Sequence, residues 1–252
     1  MSGHSKWSTI KRKKGALDAK RSKIFTKIIK EITIAARDGG SDPDSNPALR
    51  LGIQNAKGAN MPKDTIERAI SKGADSDSAN LAEITFEGYG ANGIAIFVEA
   101  TSDNNQRSVQ DVRAAFSRND GELGTNGSLS FLFDRKGVFT INKEQLDGKD
   151  IEELEMELID GGLEELENED AVVMIYTSFD DFGNMQKLLD SLNLQIESAE
   201  LQRIPNNTSI VDVDAAKKVL KLIDAMEEVD DVDNVYHNLE MTDELLAALE
   251  EE

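Results

Sequence analysis

A change of hydrophobic period divides this sequence and constrains its fold more than any other feature. From Leu17 to Lys72 apolar residues recur at three- and four-residue spacing, the mark of helices packed along one face. Beyond residue 80 they alternate or cluster in short runs bounded by Gly, Asn and Asp, the mark of strands. The polar stretch GADSDSAN, 73–80, lies between and reads as a linker.

In the first part, Leu17 to Arg37 predicts a long helix ended by Gly39 and Gly40. Ile24, Phe25, Ile28, Ile29, Ile32, Ala35 and Ala36 fall on one face, and Lys20, Lys23, Lys27, Lys30 and Arg37 on a separate stripe interrupted by Ile34. Asn46 before Pro47 predicts an N-cap and a helix running to Gly58, and Pro62 opens a third that closes at Gly73. In the second part, 84–89 and 94–100 read as two strands joined by a Gly-rich turn, 104–118 as a helix and 128–133 as a third strand. A fresh series follows: strand 138–141, acidic helix 150–160, strands 163–167 and 171–177, helix 181–192, strand 194–202. That βαββαβ order is ferredoxin-like. Helix 215–226 and strand 232–237 are left without a sheet of their own.

The expected architecture is therefore α+β: a small N-terminal helical domain and two α/β, ferredoxin-like domains, the third inserted into the second. The expected boundaries are 1–76 for the basic arm and helical domain, and 77–134 with 204–240 for a discontinuous middle domain. An acidic ferredoxin-like domain takes 135–203, and 241–252 is expected as an acidic tail.

Charge is distributed as unevenly as hydrophobicity. The 252 residues carry a net charge of −21, yet residues 1–72 hold 16 Lys+Arg against 7 Asp+Glu, a balance of +9, and the remainder has −30. A cationic segment on an anionic body points to a polyanion partner. The first sixteen residues, MSGHSKWSTIKRKKGA, read as a basic arm that orders on that partner. The segment lacks the amphipathic face of a mitochondrial presequence and the apolar core of a secretory signal, so a cytoplasmic location is expected. No run is long enough to span a bilayer.

Chemistry finds little purchase. Cysteine is absent, which excludes disulfides, thiolate metal sites and cysteine nucleophiles, and only His4 and His237 supply imidazole. Gly88–Gly93 matches G-x-G-x-x-G, but IAIFVEA follows where a dinucleotide fold needs a helix, so the glycines read as a hairpin turn. Ser8-Thr9-Ile10-Lys11 and Ser102-Asp103-Asn104 match two of three penicillin-binding signatures, without the K-T-G. Ser102 or Asp103 serves better as a helix N-cap. Asp230, Asp231 and Asp233 lack the glycine and glutamate of a calcium loop. Arg135–Phe139 resembles part of an RNA-recognition sheet signature, without a second stacking pair. The stretch 147–170 has 12 carboxylates and Lys149 alone, and its helix turns the acids outward as a solvated face. No enzyme activity, metal or cofactor is expected.

The candidate binding residues are the cations of the arm and first helix: Lys6, Lys11, Arg12, Lys13, Lys14, Lys20, Arg21, Lys23, Lys27 and Lys30. Trp7, the sole tryptophan, joins them as a stacking side chain. DNA and ribosomal RNA are both eligible partners, and no base-reading helix-turn-helix signature is present.

Several long motifs, in order, resemble the YebC family of probable transcriptional regulatory proteins. They are Gly3-His4-Ser5-Lys6-Trp7, Asp18-Ala19-Lys20-Arg21, KIFTKIIKEIT (23–33), Asp42-Pro43-Asp44, Asn46-Pro47, ANMPKDTIERAI (59–70), EGYG (87–90), LGTNGS (123–128) and FLFDRKG (131–137). The resemblance implies a cytoplasmic, non-enzymatic, three-domain DNA-binding regulator of transcription. It also implies an alternative, since relatives act in mitochondrial translation and on ribosomes at difficult proline stretches: a ribosome-associated factor binding ribosomal RNA. The family's basic residues carry onto Lys6, Lys11, Lys13, Lys14, Lys20, Arg21, Lys23, Lys27 and Lys30. Arg12 stands where the family has histidine, and Asn105-Gln106-Arg107 replaces a more basic turn.

Overall fold

The computed structural model describes residues 17–74, 81–146, 148, 150–169 and 171–250, with side chains from residue 22 through 249. Contacts divide the chain into two compact units. One holds the described residues of 79–134 and 204–252, the other those of 16–78 and 135–203. Among the described residues no helix is long and apolar enough to cross a membrane.

The second unit begins with three helices, α1 (Leu17–Gly39), α2 (Pro47–Gly58) and α3 (Lys63–Ala74). Ile28, Ile32, Ala36, Leu49, Ala56, Ile66 and Ala69 form their core, with Phe25, Ile29 and Ala35 packed against it. Ile32 is fully buried, which is worth about 1.5–3 kcal/mol relative to leaving it in water. Ile24, expected on this face, is half exposed. The helices cross closely at glycine: a Cβ on Gly73 would strike the Thr33 carbonyl, and one on Gly52 would sit 3.0 Å from Ile32 Cγ1.

The same unit contains a four-stranded sheet built from β4 (Phe133–Asn142), β5 (Leu163–Asn168), β6 (Val172–Ser178) and β7 (Ile196–Pro205), in the order β5-β6-β4-β7. Helices α5 (Ile151–Leu158) and α6 (Phe182–Ser191) complete the expected βαββαβ series. Leu154, Leu158, Met185 and Leu189 pack on Phe139, Ile141, Val173 and Ile175. Phe139, fully buried, is unavailable to any base, which disposes of the RNA-recognition resemblance at 135–139.

The first unit is a second sheet, ordered β3-β1-β2-β8, from β1 (Ala82–Tyr89), β2 (Ala95–Ser102), β3 (Glu122–Leu123) and β8 (Val232–His237). Strand β8 pairs antiparallel with β2 in a register that sets Val98 against Val235. The chain therefore leaves this sheet, completes the whole βαββαβ series and returns, so the ferredoxin-like series is inserted into the middle domain's sheet. Helices α4 (Asn105–Arg118) and α7 (Val213–Glu227) share its core through Val112, Phe116, Val219 and Ile223.

Three expectations need correction, and the glycine-rich hairpin turn holds with one refinement. Residues 128–133 are not the third strand; a 3₁₀ turn occupies Ser130–Leu132, and the third strand is the short Glu122–Leu123 against Gly88 and Tyr89. The cause is the buried carboxylate of Glu87, which accepts hydrogen bonds from the amides of Gly127 and Leu129 and so curls the chain after Gly124 out of the ladder. The cap of α4 is Asn104, whose side chain accepts from the Arg107 amide, and not Ser102 or Asp103. The segment expected as an acidic tail contains helix α8 (Asp243–Glu250), with Met241 and Leu245 buried in the first core. In the G-x-G-x-x-G stretch, Gly93 does take positive φ (78°), as does Asn92 (54°). Gly88 serves a different need, since a Cβ there would lie 2.6 Å from the Phe116 ring.

Asp231 has a structural task instead of a metal. Arg107 Nη2 approaches it to 2.8 Å, and the hydroxyls of Ser108 and Ser102 donate to it at 2.7 and 2.9 Å. Burial by itself would raise its carboxyl, but the bonds from Arg107, Ser108 and Ser102 outweigh that and hold it below the ordinary range. A depressed folded pKa contributes stability that is complete above the unfolded value, about 3.9, and is lost as pH falls through the folded one. Asp231→Asn should melt several degrees lower at pH 7 and lose less on acidification from pH 5 to 2 than the parent; equal acid sensitivity in thermal melts would contradict this.

Candidate nucleic-acid interface

The expected binding face rests on α1, and the Asn46 side chain ties the C-terminal end of α1 to the start of α2. Asn46 Nδ2 donates to the carbonyls of Ala35 (2.7 Å) and Gly40 (2.8 Å), while its Oδ1 accepts from the Leu49 amide (3.0 Å). One buried amide thus satisfies a helix end and a helix start together. This is why Gly39 lacks a side chain, since a Cβ there would lie 2.6 Å from Asn46 Nδ2.

Helix α2 then seats the helical module on the edge of the ferredoxin-like sheet. Asn55, 8% exposed, receives the Ala199 amide at 3.0 Å and donates to the Ala199 carbonyl at 2.9 Å. Its side-chain amide pairs with β7 as a further strand's peptide group would, closing an edge that would otherwise expose unpaired N–H and C=O groups. Gln186 donates to Gln54 at 2.8 Å beside it, and Leu51 packs against the sheet's core. A Cβ on Gly58 would run into the Glu197 carbonyl.

This seating decides the surroundings of the lysine stripe. Lys23 is exposed and Lys30 half-buried. Lys27 turns towards β7, its ammonium 3.1 Å from Glu200 and 3.9 Å from Glu31, with its side chain 18% exposed. Of Lys20 and Arg21 the backbone alone is described, as part of α1. Lys6, Trp7, Lys11, Arg12, Lys13 and Lys14 lie outside the described residues, as does His4.

Some carboxylates of the acidic stretch have structural roles, while Glu155, Glu157 and Asp160 are exposed. Asp150 caps α5, Glu152 and Glu153 stand in the first turn of that helix, and the buried Glu167 accepts from Tyr176 at 2.8 Å. Among the described residues no three His, Cys, Asp or Glu side chains are grouped to hold a metal ion.

Asn55 and Glu200 were not legible as partners of the helical module. A polar Asn55 at the buried position four residues after Leu51 is the one signal that a specific amide contact was needed. Its removal supplies a test: Asn55→Ala leaves the buried Ala199 amide and carbonyl unpaired, at a cost of about 1–3 kcal/mol. Hydrogen exchange at Ala199 should accelerate sharply in this variant while exchange at Ile175, deep in the same sheet, changes little; an unaltered rate at Ala199 would contradict the pairing.

Comparison with known proteins follows this geometry closely. The family model described as "TACO1/YebC protein N-terminal domain" matches residues 5–76, and "TACO1/YebC second and third domain" matches 81–239. A "Probable transcriptional regulatory protein" of Amoebophilus asiaticus is 52% identical over 95% of this chain and 98% of its own length. Another of that name, from Chlorobaculum parvum, is 48% identical with both chains covered entirely. The crystal structure of a conserved hypothetical protein from Aquifex aeolicus has a TM-score of 0.83 at 39% identity, covering 92% of this chain and 95% of that one.

Proposed function

This chain belongs to the TACO1/YebC family, and we propose that it is a cytoplasmic, non-enzymatic regulator of transcription that binds duplex DNA through its basic N-terminal module. The observation that carries this reading is the confinement of positive charge: +9 over residues 1–72 against −30 over the rest of the chain. The names of its relatives, transcriptional regulatory proteins and not enzymes, support the regulatory class.

In this reading the arm cations Lys6, Lys11, Arg12, Lys13 and Lys14 and the helix cations Lys20, Arg21, Lys23 and Lys30 meet phosphates, with Trp7 stacking on a base or sugar. Each phosphate neutralised releases a counterion, so affinity depends steeply on salt. Contacts of this kind place the protein on the polymer without reading bases. The acidic sheet seated beside α1 repels the duplex wherever it is not met by a cation, which confines the approach to the module's own face.

Replacing Lys20, Lys23 and Lys30 with glutamate should weaken duplex binding at least about tenfold at low salt and flatten the dependence of log affinity on log salt. Fluorescence anisotropy checks this, with circular dichroism to confirm an intact helix. Unchanged affinity in a folded variant would remove α1 from the interface. Crosslinking in cells separates the partners: promoter DNA is expected, and recovery of ribosomal RNA instead would replace the transcriptional reading with the ribosomal one.

A further inference from the structure

Lys27 holds a place in the candidate phosphate stripe that is already taken. Its ammonium meets the Glu200 carboxylate at 3.1 Å, and that carboxylate is not a chance neighbour. Glu200 follows Ala199, whose amide and carbonyl are both held by Asn55, so the backbone that presents it is pinned to α2. Lys27 is fixed from the other side, one position before Ile28 in the core between the helices. Exposed ion pairs are usually weakened by the entropy of ordering two long side chains. Here both backbones are set by other contacts, and the two side chains are only 18% and 32% exposed.

We infer that Glu200 is an internal competitor for nucleic-acid phosphate, an affinity-setting residue that occupies Lys27 until a phosphate displaces it. The inference rests on the phosphate-binding reading of α1. A carboxylate and a phosphate oxygen offer the same ammonium the same charge-assisted bond. The internal one is supplied at fixed geometry and is never diluted. Sparse or isolated anions therefore gain nothing from Lys27, whereas a dense polyanion already held by the neighbouring cations can exchange for Glu200. Glu200 thus lowers affinity for weak anionic ligands while leaving the approach of a phosphate backbone open.

The test is a salt series, about 50 to 200 mM, of labelled duplex binding by the full chain and five variants. Glu200→Gln should bind about two- to fivefold tighter, the range set by an ion pair of this exposure. Its plot of log affinity against log salt should steepen by up to about 0.9, the increment of one full phosphate contact, because the parent's Lys27 is shared between Glu200 and phosphate. Glu200→Asp, which keeps the charge and draws it back by one methylene, should fall between. Lys27→Gln should weaken binding less in the parent than in Glu200→Gln, where no carboxylate competes, and should abolish the gain of Glu200→Gln when the two are combined. Glu197→Gln removes a nearby exposed charge and reports the general electrostatic effect; it should tighten binding less and leave the slope unchanged. Unchanged amide exchange at Ala199 shows that the module stays seated in each variant. Parent-like affinity and slope in Glu200→Gln, or equal behaviour of Glu197→Gln, would overturn the inference and leave the phosphate-binding reading standing. Absence of salt-sensitive binding in the parent and every variant would overturn that reading, and this inference with it.

Discussion

The seating of α2 on the edge of β7 by the Asn55 amide is the contact on which the candidate interface depends. A sheet edge offers a row of unpaired peptide groups, and a β-rich protein must pair, cover or charge them. Here one side-chain amide supplies a donor and an acceptor at the spacing of a neighbouring peptide, and the remaining contacts of Gln54, Leu51 and Gly58 follow from that close approach. The consequence is electrostatic. A segment with 18 Asp+Glu against 6 Lys+Arg, residues 135–203, is held in one compact unit with the cationic helices. The two charge signs are therefore neighbours by construction, and Lys27 and Glu200 are where they touch.

Buried carboxylates play the matching part in the other unit. Glu87 collects the amides of Gly127 and Leu129 and Asp231 collects Arg107, Ser102 and Ser108, so each closes residues distant in sequence around one carboxylate. Removing either partner of such a cluster leaves polar groups buried without bonds, the costly arrangement in a protein interior. Motifs that looked like candidates for chemistry, the Ser-Asp-Asn triplet and Asp231, are explained by this wiring together with the α4 cap. The return of the chain as α7 and β8 makes it possible, since Asp231 reaches Arg107 only because β8 lies beside β2.

The helices were legible because their signals are local: Asn46-Pro47 announces a cap, Gly39 and Gly58 announce ends, and the isoleucines of α1 keep the helical period. The βαββαβ series was legible for the same reason, and its insertion could be argued because a helix and strand were left over after it. What sequence could not show was any pairing set by three-dimensional proximity. Ser128–Phe133 alternates as a strand does, yet the carboxylate of Glu87, some forty residues earlier, takes the amides of Gly127 and Leu129. Leu245 and Met241 sit in an acidic stretch whose composition hides their burial. In the candidate site, the lysine stripe was visible from periodicity, whereas the partner of Lys27 lies more than 170 residues away on a strand that no local signal ties to α1.

A nuclear magnetic resonance footprint tests the central assignment most directly: the backbone amides of the labelled full chain, recorded while a short DNA duplex is added. The account predicts that amides of the arm and of α1 up to Lys30 shift or broaden first, and that those of α5 and β5 stay silent. Shifts concentrated on α4, α7 or the acidic sheet, with α1 unmoved, would contradict it.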